Sequence, residues 1–232
     1  SQALDRFVRI EPDSKVPVET RYDAPRQVRE LYPLDAGEET QGKSMVQLAW
    51  LTCDIDESIE RLGLSLLATL LLGNPSTPLY KALIDSGLGA NLCPGSGYQD
   101  DNRTTCFAAG LQGTDPDKLP QIEALILETL EKVAAEGFSS ERIEGAIHRL
   151  EFSNREVTGD SYPYGLLLLM RMLGPWLHGG EPLAALDFDA QLLELRKKLD
   201  EGPYLQDLMR RWLIENPHRV TLLLEPDQTL RE

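Results

Sequence analysis

One stripe of a predicted helix carries residue types that could bind a metal ion. In and just after the segment EGAIHRLEF (144–152), Glu144, His148, Glu151 and Arg155 recur every three or four residues and so share one helix face. The segment HRLEF also comes within one residue of the inverted zinc motif H-x-x-E-H, whose two imidazoles reach the same ion. Phe152 stands where the second histidine would be, and a phenyl ring has no lone pair for zinc. The stripe therefore predicts a solvated face of paired charges, and an independent zinc enzyme using His148, Glu144 and Glu151 is the least favoured alternative.

The other histidines and the three cysteines favour structural roles over catalytic ones. His178 falls at a predicted helix end before two glycines, where an imidazole can cap the last carbonyls, and His218 is predicted to lie in the loop before the last strand. No serine or cysteine nucleophile is identifiable beside His178. Cys53 and Cys106 are predicted to be inert core thiols, while Cys93, in LCPGSG, looks the most exposed. Three cysteines without a C-x-x-C spacing argue against a disulfide framework and favour a reducing compartment.

Glycines and acidic residues complete the candidates for ligand binding. Gly95 and Gly97 lack the third glycine of a dinucleotide-binding turn, and GNPSTPLYK lacks the ending of a phosphate loop. Turn geometry explains these glycines, because glycine adopts positive φ without steric cost. Asp100, Asp101 and Glu181 could line a cation site, although such charges are more often solvated surface. The residues alone therefore assign no catalytic residue and no metal ligand, and the substrate-binding residues stay unknown.

The overall charge disfavours several classes of partner. The 232 residues include 23 basic and 38 acidic side chains, giving a net charge of −15, with 41% apolar residues. So negative a chain repels nucleic acids and anionic lipid surfaces and favours neutral or cationic partners. The longest apolar run, Gly165–Met170, is far shorter than the roughly 20 residues of a membrane span. We expect a soluble protein of a bacterial cytoplasm or an organelle matrix. Since the chain opens on Ser1 with no visible signal peptide, we expect it to be processed or a segment of a longer protein.

The order of predicted elements indicates one α+β domain. Residues 1–40 are expected to form an extended lead-in with a short strand near Phe7–Ile10, and residues 41–232 a single domain. A strand at 45–53 is followed by Asp54 and Glu57, which have the spacing of a capping box, and by a helix that ends at Gly73. Periodicity then predicts a short helix at 79–86, two strands within 89–113, helices at 120–136, from 140, at 164–177, 191–199 and 204–214, and a strand at 219–226. This order favours a two-layer domain, with helices packed on one face of a mostly antiparallel sheet.

Several longer segments carry a resemblance to a known family. LLGNPSTPLYKALIDSGLG (71–89) contains a small loop followed by the pattern S/T-P-L-Y-K-x-L-I-x-S-G-L-G. IHRLEFSNRE (147–156) precedes SYPYGLLLLMRMLGPWLHGGEPLAALDF (161–188), which contains Y-G-L and then W-x-H-G-G-x-P. ENPHRVTLLLEPD (215–227) completes the order of motifs. From about residue 40 onward the chain resembles the pitrilysin/insulinase zinc metallopeptidases, in the presequence-protease and falcilysin branch.

The resemblance implies a non-catalytic domain of a peptidase. In that family, four homologous α+β domains of the mitochondrial-processing-peptidase fold form two bowl-like halves that close around a peptide, and the zinc motif belongs to the first domain. This chain resembles the second domain, so no zinc ligand or general base carries over to it and no cofactor is expected in it; zinc would belong to the parent's catalytic domain.

The resemblance also implies partners. These are the catalytic domain and the C-terminal half of the same polypeptide, together with unstructured peptide substrates, cationic ones among them. A non-catalytic scaffold or partner-binding domain on the same fold is the alternative function. The negative charge itself fits two interpretations, steering of cationic peptides and solubility alone.

Overall fold

A six-stranded sheet forms one layer of the computed structural model, which describes residue 10, residues 15–156 and residues 163–230. Its strands are β1 (Arg26–Pro33), β2 (Ser44–Asp54), β3 (Asn91–Leu92), β4 (Gly97–Gln99), β5 (Thr104–Thr114) and β6 (Arg219–Asp227). The strand order is β1-β6-β2-β5-β3, and β4 also pairs with β5. Strands β1 and β6 are parallel, whereas β2 is antiparallel to β5 and β6, and β3 and β4 are antiparallel to β5. The predicted mostly antiparallel sheet is confirmed.

Helices account for most of the remaining described residues. They are α1 (Ser58–Leu72), α2 (Pro78–Asp85), α3 (Leu119–Glu136), α4 (Ser140–Arg155), α5 (Tyr164–Leu177), α6 (Phe188–Glu201) and α7 (Tyr204–Met209). Short 3-10 turns lie at Pro116–Lys118 and Leu183–Leu186, and a π turn lies at Arg210–Ile214. Within the described ranges, no helix has the length and apolarity needed to cross a bilayer. The α+β class predicted from the order of elements is confirmed.

The central strand β2 shows how one face of the sheet is covered. Val46, Leu48 and Trp50 are completely buried and alternate with half-buried residues, as expected for a strand with one packed face. They share a core cluster with Leu67 of α1 and Ile126 of α3. Burying a large apolar side chain contributes about 1.5–3 kcal/mol, so this contact between sheet and helices supplies much of the stability.

Helix α1 is buried on more than one side. Leu66 and Leu70 of α1 belong to a second core cluster that includes Ile147 of α4 and Leu195 of α6. Among the described residues this second cluster contains helix residues only, whereas the first contains β2 and β5. Helices α4 and α6 are therefore attached to the sheet through α1, and the outer face of α4 is left to the solvent.

The lead-in expected at residues 1–40 contains a strand that the sequence analysis did not predict. Strand β1 pairs in parallel with β6, from Arg26 opposite Val220 to Pro33 opposite Asp227. Its sequence, RQVRELYP, shows little apolar alternation and most of its side chains are exposed, so local pattern could not reveal a pairing about 190 residues away in the chain. Apart from Ile10, the strand predicted at Phe7–Ile10 lies outside the described residues.

Two predicted helix boundaries are corrected by the structure. The carboxylate of Glu57 accepts a hydrogen bond from the backbone N–H of Asp54 at 3.1 Å, which is one half of the predicted capping box. The helix itself begins at Ser58, with Glu57 as its N-cap residue, because the intervening residues form a turn. The helix predicted at 204–214 ends at Met209 and continues as the π turn.

Candidate functional site

The charged stripe of α4 is exposed and internally paired. The imidazole of His148 is 71% exposed, and its Nδ1 lies 3.3 Å from Oε2 of Glu151. Arg155 lies 3.9 Å from the other oxygen of Glu151, and Glu144 pairs with Arg196 of α6 at 2.9 Å. This is the solvated face of opposite charges that the spacing predicts. Exposed pairs of this kind contribute about 0.2–1 kcal/mol each.

The donor set of this stripe does not fit a zinc ion. A structural or catalytic zinc site takes at least three protein ligands in tetrahedral geometry. Phe152, at the position of the missing histidine, is 68% exposed and offers no donor atom. Across residues 15–156 and 163–230 no group of three or more His, Cys, Asp or Glu side chains could hold a metal ion. We therefore derive no chemical step at His148.

His178 ends helix α5, where the sequence predicted a helix end. It is the C-cap residue, and its backbone N–H donates to the carbonyl of Pro175 at 3.2 Å. A second bond from Gly180 to the same carbonyl, at 2.8 Å, closes the end of the helix. These contacts are those of helix termination.

His218 lies in the loop before β6, as predicted, and it is buried against Tyr22. Only 6% of it is exposed, and its ring stacks on Tyr22 with centroids 3.9 Å apart. Its Nδ1 accepts a hydrogen bond from the backbone N–H of Tyr22 at 3.1 Å, and Arg26 covers the Tyr22 ring at 3.6 Å. Burial and the nearby cations Arg21 and Arg26 lower the pKa of His218, while Glu19 acts in the opposite sense. No local pattern could reveal this contact, because its two partners are 196 residues apart in the chain.

Cys53 and Cys93 are buried and Cys106 is half-buried, so the prediction that Cys93 is the most exposed cysteine is wrong. Cys93 is 5% exposed, because its loop folds onto β2 and its thiol approaches the carbonyl of Val46 at 3.5 Å. Burial raises the pKa of Cys93 to about 12. Burial also raises the pKa of Cys53, whose sulfur lies 3.4 Å from the hydroxyl of Thr105, and the pKa of Cys106. Each thiol therefore strongly favours the unreactive protonated form.

The glycine pair before β4 and within it has the turn geometry that the sequence predicted. Gly95 has φ of +76° and Gly97 has φ of +126°. Both values lie in the region that favours glycine. The side-chain amide of Gln99 donates to the carbonyl of Gly95 at 2.8 Å and closes the turn.

Asp100 and Asp101 line a groove between α5 and the helices α1 and α4. The groove has a volume of about 500 Å³. Asp100 accepts a hydrogen bond from Nη2 of Arg61 at 2.7 Å. Glu181, grouped with them in the sequence, instead accepts from the N–H of Leu183 at 3.5 Å and does not line the groove. The predicted trio therefore does not form a cation site.

The walls of the groove come from several helices. They are formed by Ser58, Arg61, Leu62 and Ser65 of α1, Leu150 and Asn154 of α4, Met170, Arg171, Leu173, Gly174, Pro175 and Leu177 of α5, and Ala185, Phe188 and Gln191 near the start of α6. Arg61 is held at its end by the carbonyl of Ile55 at 2.9 Å as well as by Asp100. Among the described residues the lining contains no histidine and no cysteine. Such a groove can bind an apolar or polar segment, but it presents no nucleophile with a base.

Sequence reasoning missed Arg61 as a residue of this site. A single arginine near the start of an apolar helix has no local signature. Its partner Asp100 lies 39 residues further along the chain, and only the folded geometry joins them.

Part of this chain matches a known protein family. Residues 2–150 match the family model described as "Peptidase M16 inactive domain". The match ends near the middle of α4 and so does not include α5.

Two curated relatives match essentially the whole chain. The chain is 34% identical over 233 residues to the mitochondrial presequence protease of Mus musculus, covering 100% of this chain and 22% of that protein. It is 32% identical over 233 residues to presequence protease 1, chloroplastic/mitochondrial, of Arabidopsis thaliana, covering 98% of this chain and 22% of that protein. The chain thus spans about a fifth of the length of these relatives.

A solved structure shares the fold. A peptidase M16 inactive domain from Pseudomonas fluorescens superposes with a TM-score of 0.62 at 16% identity, over 94% of this chain and 48% of that one. At this identity the likeness concerns the fold alone.

Proposed function

Since the chain belongs to the family of peptidase M16 inactive domains, in its presequence-protease-like branch, we propose that it is the non-catalytic domain of a longer zinc-dependent metalloendopeptidase. In this proposal the parent degrades unstructured peptides, and the present domain forms part of the wall of the closed chamber that holds them. One observation carries the proposal. The whole chain matches proteins named as proteases, and yet it spans only 22% of their length.

The residues of this chain support a role in substrate binding, with catalysis carried out by another domain of the same polypeptide. The motif nearest to a zinc signature places the exposed imidazole of His148 beside Glu151, with a phenylalanine in place of the second ligand. A catalytic zinc would therefore be held by another domain of the polypeptide. In that domain it would polarise the peptide carbonyl and activate water. The contribution of this chain would be binding surface and shape.

The charge of the chain supports cationic peptides as a preferred substrate class. A wall with a net charge of −15 attracts basic peptides and raises their local concentration. The competing explanation is that the charge maintains solubility. The rate of association with a cationic peptide should fall as salt is added, while a neutral peptide of the same length should show little change. A flat response for both peptides would contradict steering.

The compartment is part of the same proposal. The two relatives carry mitochondrial or chloroplastic names, and the three cysteines here are free. We propose a reducing organelle matrix or a bacterial cytoplasm as the working environment. Subcellular fractionation of the source cells would test this directly.

The proposed function is tested on the longer polypeptide that would contain this chain. We expect cleavage of an unstructured peptide, loss of cleavage with a chelator, and nearly unchanged kcat in the variants His148→Ala and Glu151→Gln. His148 is exposed and Glu151 is half-buried at the surface, where Gln keeps the shape of the side chain, so both variants should fold. A large fall in kcat together with lost zinc in either variant would place the metal in this domain and contradict the proposal. Absence of any chelator-sensitive cleavage would favour the scaffold alternative.

A further inference from the structure

Helix α5 presents a second apolar side to the solvent. The outward side, termed the α5 seam, consists of Leu166, Leu169, Met170, Leu173, Trp176 and Leu177. Five of the six are between 40% and 72% exposed, and Leu173 is half-buried between them. The positions recur every three or four residues, which is the spacing by which a helix packs against another helix. Such a stripe on a soluble surface marks an interaction site.

The opposite side of α5 is already fixed to the body of the domain. Pro175 is buried, and Gly174 lies so close to Ile55 that an added Cβ would come within 2.9 Å of its Cδ1. Arg171 donates to the carbonyls of Asn154 and Ser153 at 3.4 and 3.5 Å, at the end of α4. These contacts set the rotation of the helix. The seam therefore cannot be buried by turning α5 on its axis.

We propose that an apolar helix from another domain of the same longer polypeptide packs along the α5 seam. This inference rests on the proposed function, in which the chain is one domain of a longer protein. The relatives that match the chain through α5 are proteins of which it covers only 22%, so they contain ample further chain to supply such a helix. The general family model, by contrast, ends at residue 150, before α5 begins.

The chemistry of the α5 seam favours an apolar helix of the same polypeptide over a cationic peptide, a second copy of the chain or an anionic lipid surface. The six side chains of the seam carry no charge, and in the adjoining groove the carboxylate of Asp100 is already paired with Arg61, so the seam itself attracts a cationic peptide weakly. Two copies of the chain, each with a net charge of −15, repel one another, and the same charge repels anionic lipid. Met170, Leu173 and Leu177 also form one wall of the 500 Å³ groove. Large side chains of the incoming helix could enter the groove there.

Thiol labelling at two matched positions tests the proposal. Leu177 on the seam and Leu193 on α6 are both 72% exposed, and Leu193 does not line the groove. The variants Leu177→Cys and Leu193→Cys of the longer polypeptide are alkylated, and each site is followed by mass spectrometry relative to the urea-unfolded protein. We expect position 177 to react at least about tenfold more slowly than position 193, without added peptide and at every protein concentration.

Each other outcome overturns the proposal. Equal labelling at both positions would show that nothing covers the seam. Protection that grows with protein concentration would identify a second copy, and protection that requires added peptide would identify substrate. Peptide cleavage by the same samples separates this inference from the proposed function. Retained cleavage with equal labelling rejects only the packing of a helix on the seam, whereas protection without any cleavage rejects only the peptidase role.

Discussion

Helices α1 and α5 have similarly apolar sequences and opposite surroundings. Six residues of α1 are buried, between the sheet and the helices α4 and α6, whereas Pro175 alone is buried in α5. Both helices carry apolar residues on more than one side, which predicts burial on more than one side. Among the described residues, α1 has packing partners on both of these sides and α5 on one side only. An apolar helix thus predicts that a partner exists without saying where in the polypeptide it lies.

The largest contrast is expected at two glycines, one in the sheet and one in α5. A Cβ at Gly110 of β5 would lie 2.1 Å from the carbonyl oxygen of Val46, a backbone atom that cannot move without parting β2 from β5. We expect Gly110→Ala to lower the free energy of unfolding by at least about 4 kcal/mol. At Gly174 the neighbour is the flexible end of Ile55, so Gly174→Ala should change it by less than about 1 kcal/mol.

Urea denaturation of the 232-residue chain measures both variants. Similar losses of unfolding free energy in the two variants would contradict the contrast, because α5 would then be packed as tightly as the sheet. An m value equal to that of the unsubstituted chain would show that each variant exposes the same surface area on unfolding.

A second pair compares leucines of the two helices. Leu67 of α1 is fully buried and Leu177 of α5 is 72% exposed. Leu67→Ala should lower the free energy of unfolding by about 2–5 kcal/mol, because it removes contacts and leaves a cavity. Leu177→Ala should change it by no more than about 0.5 kcal/mol in the same chain. A loss of several kcal/mol at Leu177 would mean that the chain itself covers the seam.

Acid should weaken the packing of the segment around Tyr22 on His218 and leave α5 unaffected. The lowered pKa of His218 means that the folded state binds its proton less readily than the unfolded state. Its contribution to stability is therefore complete above the ordinary pKa of about 6.5 and is lost as the pH falls below that value. Protonation also removes the acceptor for the N–H of Tyr22.

Unfolding curves at several pH values test this expectation. The wild-type chain should lose stability from about pH 6.5 downward, and the variant His218→Gln should show a weaker dependence in that window. Identical slopes in the two proteins would contradict a role for His218.

The smallest effect is expected on the outer face of α4. Glu144 is half exposed and pairs with Arg196 at 2.9 Å. Glu144→Gln should lower the free energy of unfolding by less than about 1 kcal/mol, because an exposed pair gains little over its hydrated ions. Thermal denaturation at low and high salt measures the difference, which should shrink as salt is added. A salt-independent loss of several kcal/mol would show that this face is structural.

The sequence was informative wherever the determining contacts are local. Alternation and periodicity predicted β2, α1 and α3 closely, because one apolar face of each is packed within the domain. The paired stripe of α4 followed from the i, i+3 and i, i+4 spacing of His148 with its neighbours.

Contacts between distant segments could not be predicted. Strand β1 depends on a parallel pairing with β6, and the burial of His218 depends on Tyr22. Cys93 looked exposed because its loop contains proline and glycines, yet β2 covers its thiol. The groove was also missed, since its walls come from elements spread over more than 130 residues, from Ser58 to Gln191.

We propose that this domain holds no catalytic metal, and the metal content of the purified 232-residue chain tests this most directly. After supply of zinc and removal of excess, a chain shown to be folded by circular dichroism should retain no stoichiometric zinc and should leave an unstructured peptide intact. One zinc per chain, lost in the variant His148→Ala along with a chelator-sensitive cleavage, would contradict the account.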